Sequence, residues 1–407
     1  MRGNAKTMLL IGIMASLVAP CRAVDGVKRH TRRYIVTNDD VYGPAGPNTA
    51  TFYRPGGTFS TPNLSLYKTI QTGGTGTGDG AYGTNGIVLV QDAGQSCAFV
   101  SDAESGDIAG IALETQKVIG NFKGSQGDNG FQFGIGLSAN SKYLFAAYTG
   151  SSTIGMFKIL PGCKLRFVSD VSALGAGGGG IVGMGLHADM LVTTYTDGSI
   201  QSFNVSGGIP VSNNDLQYST GFKNDGGSPD GVDITRDGHY AIFGDASTTY
   251  PEVEVSDISS GKLTPTVEYG GASGGLGGGK GTNSNNVWLS PDESLLYISL
   301  NWGGEVAAAF FDKNIGTLSK GCFSGILNGY QTEWAYTASL ATERATGTGG
   351  VLWVAEDGGG GGPSAVGIVK VSSSNGQCTL TESADSPAYD YNSSTMRSIV
   401  AYPSRPF

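Results

Sequence analysis

Nine acidic side chains of this 407-residue chain follow closely on short apolar runs. They are Asp39 and Asp40, Asp102 and Glu104, Asp197, Asp245, Glu305, and Glu356 with Asp357. Carboxylates gathered around one opening could serve as general acid and base. They could also hold a hard cation such as Ca2+, or simply close turns by bonding local backbone. Asp245, Glu305 and Glu356 are the candidate catalytic residues. Asp102 and Asp197 are candidate ligand-binding residues, with Trp302 beside Glu305 as a sugar-stacking platform. Histidine is scarce: His30, His187 and His239. A Ser-His-Asp or metal-His mechanism is therefore hard to build. Apart from the Ca2+ option, no cofactor is expected.

The runs that carry these acids are copies of one another. The clearest stretch is "NNVWLSPDESLLYISL", Asn285 to Leu300: an apolar run, a tight polar turn, a second apolar run. "GIGLSANSKYLFAAY" from Gly134 and "GVDITRDGHYAIFG" from Gly231 align with it, and Asn140 and Asp237 stand for Asp292. The second run recurs seven times, beginning at Tyr34, Cys97, Tyr143, Met190, Tyr240, Leu295 and Val351, with spacings of 63, 46, 47, 50, 55 and 56 residues. Each copy continues with two more short alternating segments, such as "STIGMFKI" then "KLRFVSD". Four strands per unit at a period near fifty is the pattern of a β-propeller. The expected fold is all-β, a seven-bladed β-propeller of four-stranded blades.

The ends predict closure of the ring. The first copy starts at Tyr34 with its second strand, and the tail offers "SIVAY", Ser398 to Tyr402. That tail strand is expected to complete blade 1 as its innermost strand and so remove an open edge. The blade-to-blade connections are glycine-rich, as in "QTGGTGTGDG", "GAGGGG" and "GGASGGLGGGKG". "GGGKGT" superficially resembles a phosphate loop but lacks the required spacing and leads into a strand. These connections are expected to be flexible links. Cys97 ends a first-to-second-strand turn, and Cys163, Cys322 and Cys378 follow third-to-fourth-strand turns. Both turn types lie on one face of a propeller, so neighbouring blades pair Cys97–Cys163 and Cys322–Cys378.

Residues 1–23 read as an export signal: a basic start, the apolar "TMLLIGIMASLVAP" and a small-residue cleavage site. A basic linker, 24–33, precedes the single propeller at 34–407. The first 33 residues hold seven Lys and Arg and one Asp, so the remainder carries 18 basic and 33 acidic residues, a net charge of −15. Such a chain repels nucleic acid and anionic membranes. No later segment is long and apolar enough for membrane insertion. A secreted or periplasmic monomer that meets a small-molecule or carbohydrate ligand is the expectation.

"LSPDESLLYIS" followed by "GGEVAAAFFD…GTLS", and "ITRDGHYAIFGD…VEVSDISSGKLT", resemble the repeat of the lactonase-type propellers similar to 6-phosphogluconolactonase. The likeness spans Tyr34 to Phe407. The resemblance implies lactone hydrolysis or the related muconate cycloisomerisation. The family's active enzymes commonly carry a His just before such a hairpin; the corresponding places here hold Asn285-Asn286 and Ser228-Pro229-Asp230. Two functions follow: an exported lactonase-like hydrolase of a lactone or sugar-derived ester, or a non-catalytic extracellular propeller that binds a glycan, peptide or cation.

Overall fold

A computed structural model describes residues 33–78, 85–92, 95–125, 134–219, 229–245, 251–270, 276, 283–301, 303–329, 336–342, 349–358, 362–391, 393 and 395–403. The export signal, the linker up to residue 32 and Trp302 lie outside the described residues.

Seven antiparallel sheets follow one another along the chain. Among the described residues the one helical turn is Gly43–Ala45. In blades 2, 3, 5 and 6 the strand order is the chain order. Blade 4 has a fourth strand reduced to two short pieces, Val211–Ser212 and Gln217–Tyr218. Blade 7 gains a fifth strand, Ala388–Asp390, paired with Ser364–Val366. Blade 1 is completed by Ser398–Tyr402, which pairs with Tyr34–Asn38 in a register that sets Tyr402 against Tyr34 and Ser398 against Asn38. The innermost strands of successive blades touch around the whole ring, from Ser398–Tyr402 through blades 2 to 7 and back. The propeller and its closure by the tail are as the repeat pattern required.

The recurring hairpin owes its shape to local hydrogen bonds. In blade 6, Asp292 accepts from the Ser290 hydroxyl at 2.7 Å and from Ser294 N–H at 3.2 Å. Asp237 accepts from Thr235 at 2.7 Å and His239 N–H at 3.1 Å in blade 5. Asn140 accepts from two N–H groups, each at 2.8 Å, in blade 3. A short polar side chain that bonds backbone two residues on is what makes such a turn. The motif that reveals the fold is therefore a turn device.

The two faces of each strand alternate, and each face packs against a different neighbouring blade. The result is seven apolar cores, one at every seam between blades. The core between blades 2 and 3 gathers Phe99, Ile108, Leu144 and Phe157. The core between blades 5 and 6 gathers Ile242, Val255, Leu296 and Ile298. The last core joins Ala341, Trp353 and Ile368 of blade 7 to Ile35 and Tyr53 of blade 1. Each such fully buried side chain contributes roughly 1.5–3 kcal/mol over an exposed one.

Cys97 is bonded to Cys163, and Cys322 to Cys378. The first bridge ties blades 2 and 3 beside the first-to-second-strand turns, and the second ties the far half of blade 6's fourth strand, where Cys322 lies opposite Ala308, to the start of blade 7's fourth strand at Cys378. The first spans 66 residues, a loop whose closure stabilises the fold by roughly 4 kcal/mol on the chain-entropy estimate. Replacing both Cys97 and Cys163 by Ala is expected to lower the guanidinium unfolding midpoint accordingly. An unchanged midpoint would contradict this.

Candidate functional site

The second strand of each blade ends on the face opposite the first-to-second-strand turns. Near that end lies one position whose side chain faces the preceding blade. Leu352 and Val354 pack in the core between blades 6 and 7, so strand alternation turns Glu356 toward blade 6. By the same alternation Asp102 faces blade 1, Asp245 faces blade 4 and Asp39 faces blade 7. Blades 3, 4 and 6 place Tyr148, Tyr195 and Leu300 at this position. All four carboxyl side chains are buried. The acids predicted to ring a channel are thus distributed among separate seams.

Asp102 shows how such a group is held. Thr72 donates to it at 2.6 Å, Asn48 at 2.8 Å and Asn121 at 3.1 Å. Burial, with the nearby Asp107 carboxyl, pushes Asp102 up to about 8 against the donors Thr72 and Asn48. Asp40 accepts from the hydroxyl and the N–H of Thr77 at 2.8 and 3.0 Å, and burial carries it up to about 6. Thr72 and Thr77 belong to "QTGGTGTG", and its glycines are there because nothing larger fits. A Cβ on Gly74 would come within 2.6 Å of the Asp102 carboxyl carbon and 2.5 Å of Asp107 Oδ1. The next glycine-rich connection does the same for Asp197, which accepts from Gly177 N–H at 2.6 Å and Gly179 N–H at 3.1 Å. Partial burial raises Asp197, but the Ser199 hydroxyl and these two amides outweigh it and hold the carboxyl below its usual range. The glycine-rich connections, expected as flexible links, are carboxylate cradles in these two places.

Glu356 is held differently. Opposite Asp39 the third strand supplies the hydroxyls of Thr49 and Thr51, at 2.6 and 2.7 Å. The matching positions opposite Glu356 are Ala365 and Gly367. Among the described residues, neither carboxyl oxygen of Glu356 has a hydrogen-bond donor. Side chains at Gly329 or Gly367 would overlap its carboxyl group. Burial, and then the charge of Glu382, push Glu356 up to about 8. Of the three catalytic candidates, Asp245 and Glu356 are buried, and Glu305, at the start of Glu305–Asp312, is partly exposed. Burial raises the Glu305 carboxyl above its usual range.

Two further pairs lie at the start of innermost strands. Arg397, beside Ser398, forms an ion pair with Asp357 at 2.7 Å, and both side chains are largely buried. Asn285 donates to Asp230 at 3.0 Å between the innermost strands of blades 6 and 5. Both strands are bulged there, the register shifting between Pro229 and Val232 and between Ser284 and Val287. A bulge re-aims side chains. These are the positions where the resemblance led to an expected His. The described histidines, His187 and His239, sit at first-to-second-strand turns, on the opposite face. Sequence reading passed over Arg397 because it lies in the tail, away from every repeat; the unpaired first copy at Tyr34 was the signal that the tail belongs to the channel. Among the described residues no three His, Cys, Asp or Glu side chains cluster as a metal site.

These raised acids give the fold a pH dependence of definite sign. Asp39, Asp40, Asp102 and Glu356 keep their protons up to about 7, 6, 8 and 8 when folded, against ordinary values of 3.8 and 4.5. Between pH 4 and 8 the unfolded chain therefore binds fewer protons, and stability falls as pH rises. The melting temperature is expected to drop across that range. Glu356→Gln, neutral at every pH, should lessen the drop and melt higher than wild type above pH 8. Equal slopes for the two proteins would contradict the assignment. Gly74→Ala is expected to cost about 1–3 kcal/mol through overpacking against Asp102, read from the urea midpoint.

No protein-family profile matches the chain, and no curated protein does. Its fold is shared by many solved structures. A candidate 6-phosphogluconolactonase from Bacteroides fragilis NCTC 9343 superposes with a TM-score of 0.65 at 13% identity, covering 93% of this chain and 99% of that one. Another from Bacteroides uniformis ATCC 8492 gives 0.64 at 12%, covering 91% and 99%. A periplasmic gluconolactonase from Pseudomonas aeruginosa gives 0.50 at 16%, covering 71% and 81%. The chain has the fold of the lactonase-type seven-bladed propellers.

Proposed function

We propose that the chain is an exported lactonase-type hydrolase that opens a sugar-derived lactone or ester bearing no phosphate. The observation that carries this reading is the Arg397–Asp357 pair beside the closing innermost strand. Ester hydrolysis needs a donor for the oxyanion that forms as water adds to the carbonyl. A guanidinium fixed by a carboxylate at 2.7 Å is such a donor. Its charge is already matched by Asp357, with Asp40 close enough to be influenced by it. A phosphorylated substrate would find no surplus cation at this arginine.

Glu305 is the general base in this scheme. Second strands end, and innermost strands begin, on the same face of the ring, since Leu300 faces Glu305 and Asn38 faces Ser398. Glu305 and Arg397 therefore share that face. A partly exposed carboxylate raised by desolvation is suited to taking a proton from water. Export agrees with the two disulfides, which persist in oxidising compartments. It also agrees with the periplasmic setting of the Pseudomonas gluconolactonase. In the described residues no helix is long and apolar enough to cross a membrane.

The second reading is a non-catalytic propeller that binds a glycan, peptide or cation. The observation in its favour is that Asn285 and Asp230 stand where a His would be expected. A panel of neutral and phosphorylated aldonolactones separates the two. Turnover of neutral lactones is expected, with kcat/KM reduced about a hundredfold or more in Glu305→Gln and in Arg397→Gln. No turnover of any lactone would remove the hydrolase reading.

A further inference from the structure

The chain carries three Asn-X-Ser triplets: Asn63-Leu64-Ser65, Asn204-Val205-Ser206 and Asn392-Ser393-Ser394. In an exported chain such a triplet is an acceptor for N-linked sugar, provided that it reaches the surface. Asn392 lies outside the described residues. The other two occupy related places. Asn204 ends the third strand of blade 4, and Asn63 follows the turn into the fourth strand of blade 1. Both asparagines are exposed.

At Asn204 the local hydrogen bonds fix the amide. Its Oδ1 accepts from Ser206 N–H at 2.9 Å and from the Ser206 hydroxyl at 2.6 Å. With the oxygen held by the third residue of the triplet, the amide presents its NH2 on the other side. Among the described residues nothing accepts from that nitrogen. Val205, between them, is buried in the core of blades 3 and 4, and its N–H donates to the Asp189 carbonyl at 2.7 Å. The middle residue thus anchors the turn while its two neighbours project. Ser206 and Gly207 are exposed, and a Cβ on Gly207 would meet nothing within 4 Å. Val211, paired with Asn204, is also exposed. The folded protein has room for a bulky group here.

Asn63 pairs with Gly56, where a Cβ would come within 2.5 Å of the Asn63 Oδ1. The glycine makes room for the amide at an outer edge, and Ser65 is exposed beside it. Third-to-fourth-strand turns share the face of the first-to-second-strand turns. Groups attached at both asparagines therefore leave the face of Glu305 and Arg397 open.

We propose that Asn63 and Asn204 are acceptors of N-linked oligosaccharide, transferred from a lipid pyrophosphate during export. Nδ2 forms a bond to the anomeric carbon of the first sugar and gives up one proton. The anomeric carbon–oxygen bond breaks, and the lipid pyrophosphate leaves with its electron pair. The assignment rests on the export named in the reading above and is independent of hydrolysis, so failure of the lactone panel leaves it standing.

The full chain, with its own export signal, is produced in a eukaryotic secretory host. Its appearance in the medium reads export without reference to sugar. Digestion by a peptide N-glycosidase, which leaves aspartate at each acceptor, is followed by gel shift and peptide mass spectrometry. Conversion at both Asn63 and Asn204 is expected. Asn204→Gln and Ser206→Ala should each lose one step of the gel shift, Ser206→Thr should keep it, and Ser65→Ala should lose the step that belongs to Asn63. A secreted wild type in which either asparagine stays unconverted overturns the assignment of that residue and leaves export standing. A chain that never leaves the cytosol overturns both. The wild-type peptide map decides even where a variant does not fold.

Discussion

The pairing of Ser398–Tyr402 with Tyr34–Asn38 is the contact on which the remaining structure depends. Each blade buries both its faces only against neighbours, so an open chain of seven sheets would leave two apolar faces in water. One would carry Ile35 and Tyr53, the other Trp353 and Ile368. Closing the ring brings these four together with Met396, Ile399 and Ala401 of the tail. Ten buried side chains of this kind far outweigh the modest entropy of joining distant ends of the chain, which grows only logarithmically with length. The disulfides tie blades 2 to 3 and 6 to 7. The closing seam has no such bond and relies on strand pairing, apolar packing and a polar network.

Burial also governs the other face. A carboxyl group placed at a seam loses its water and must find donors or keep its proton. Asp102 and Glu356, at equivalent positions, both keep a proton up to about 8, but only Asp102 is also met by donors. Asp102 receives three side-chain donors, two of them from blade 1 and the loop that follows it. Glu356 meets Ala365 and Gly367 and stays neutral. The glycine content follows from the same constraint. A connection that must lay its own amides or hydroxyls on a fully or partly buried carboxyl cannot carry a Cβ at the point of contact, as Gly74 and Gly179 show.

This division explains what the sequence made legible. The hairpins could be read because their geometry is local: Ser290, Asp292 and Ser294 bond one another within five residues. The disulfides could be read because the repeat fixes which turns are neighbours. The tail strand could be read because one copy lacked a partner. The acids were found, but their surroundings were not, since Asp102 meets Asn48 from 54 residues away and Ser393 meets the Asp39 carbonyl from 354 residues away. Contacts at that separation leave no periodic trace. Arg397 was missed for the same reason, because its partner Asp357 belongs to a different blade and the two meet only once the ring is closed.

Charge distribution narrows the chemistry further. With 18 basic and 33 acidic residues from Tyr34 onward, the protein sets a negative field against anionic ligands approaching any face. Arg397 does not reverse that field locally, because its charge is matched by Asp357 and the Asp40 carboxyl lies within its field. A guanidinium in such company attracts little free anion, yet its N–H groups remain directional donors. It therefore favours a group that is neutral on arrival and gains negative charge only as it reacts. A lactone carbonyl under attack by water is such a group, whereas a phosphate ester or a carboxylate is charged from the start and is repelled before it can be positioned. On the hydrolase reading proposed above, the acidic surroundings of Arg397 would bias the ring toward uncharged substrates.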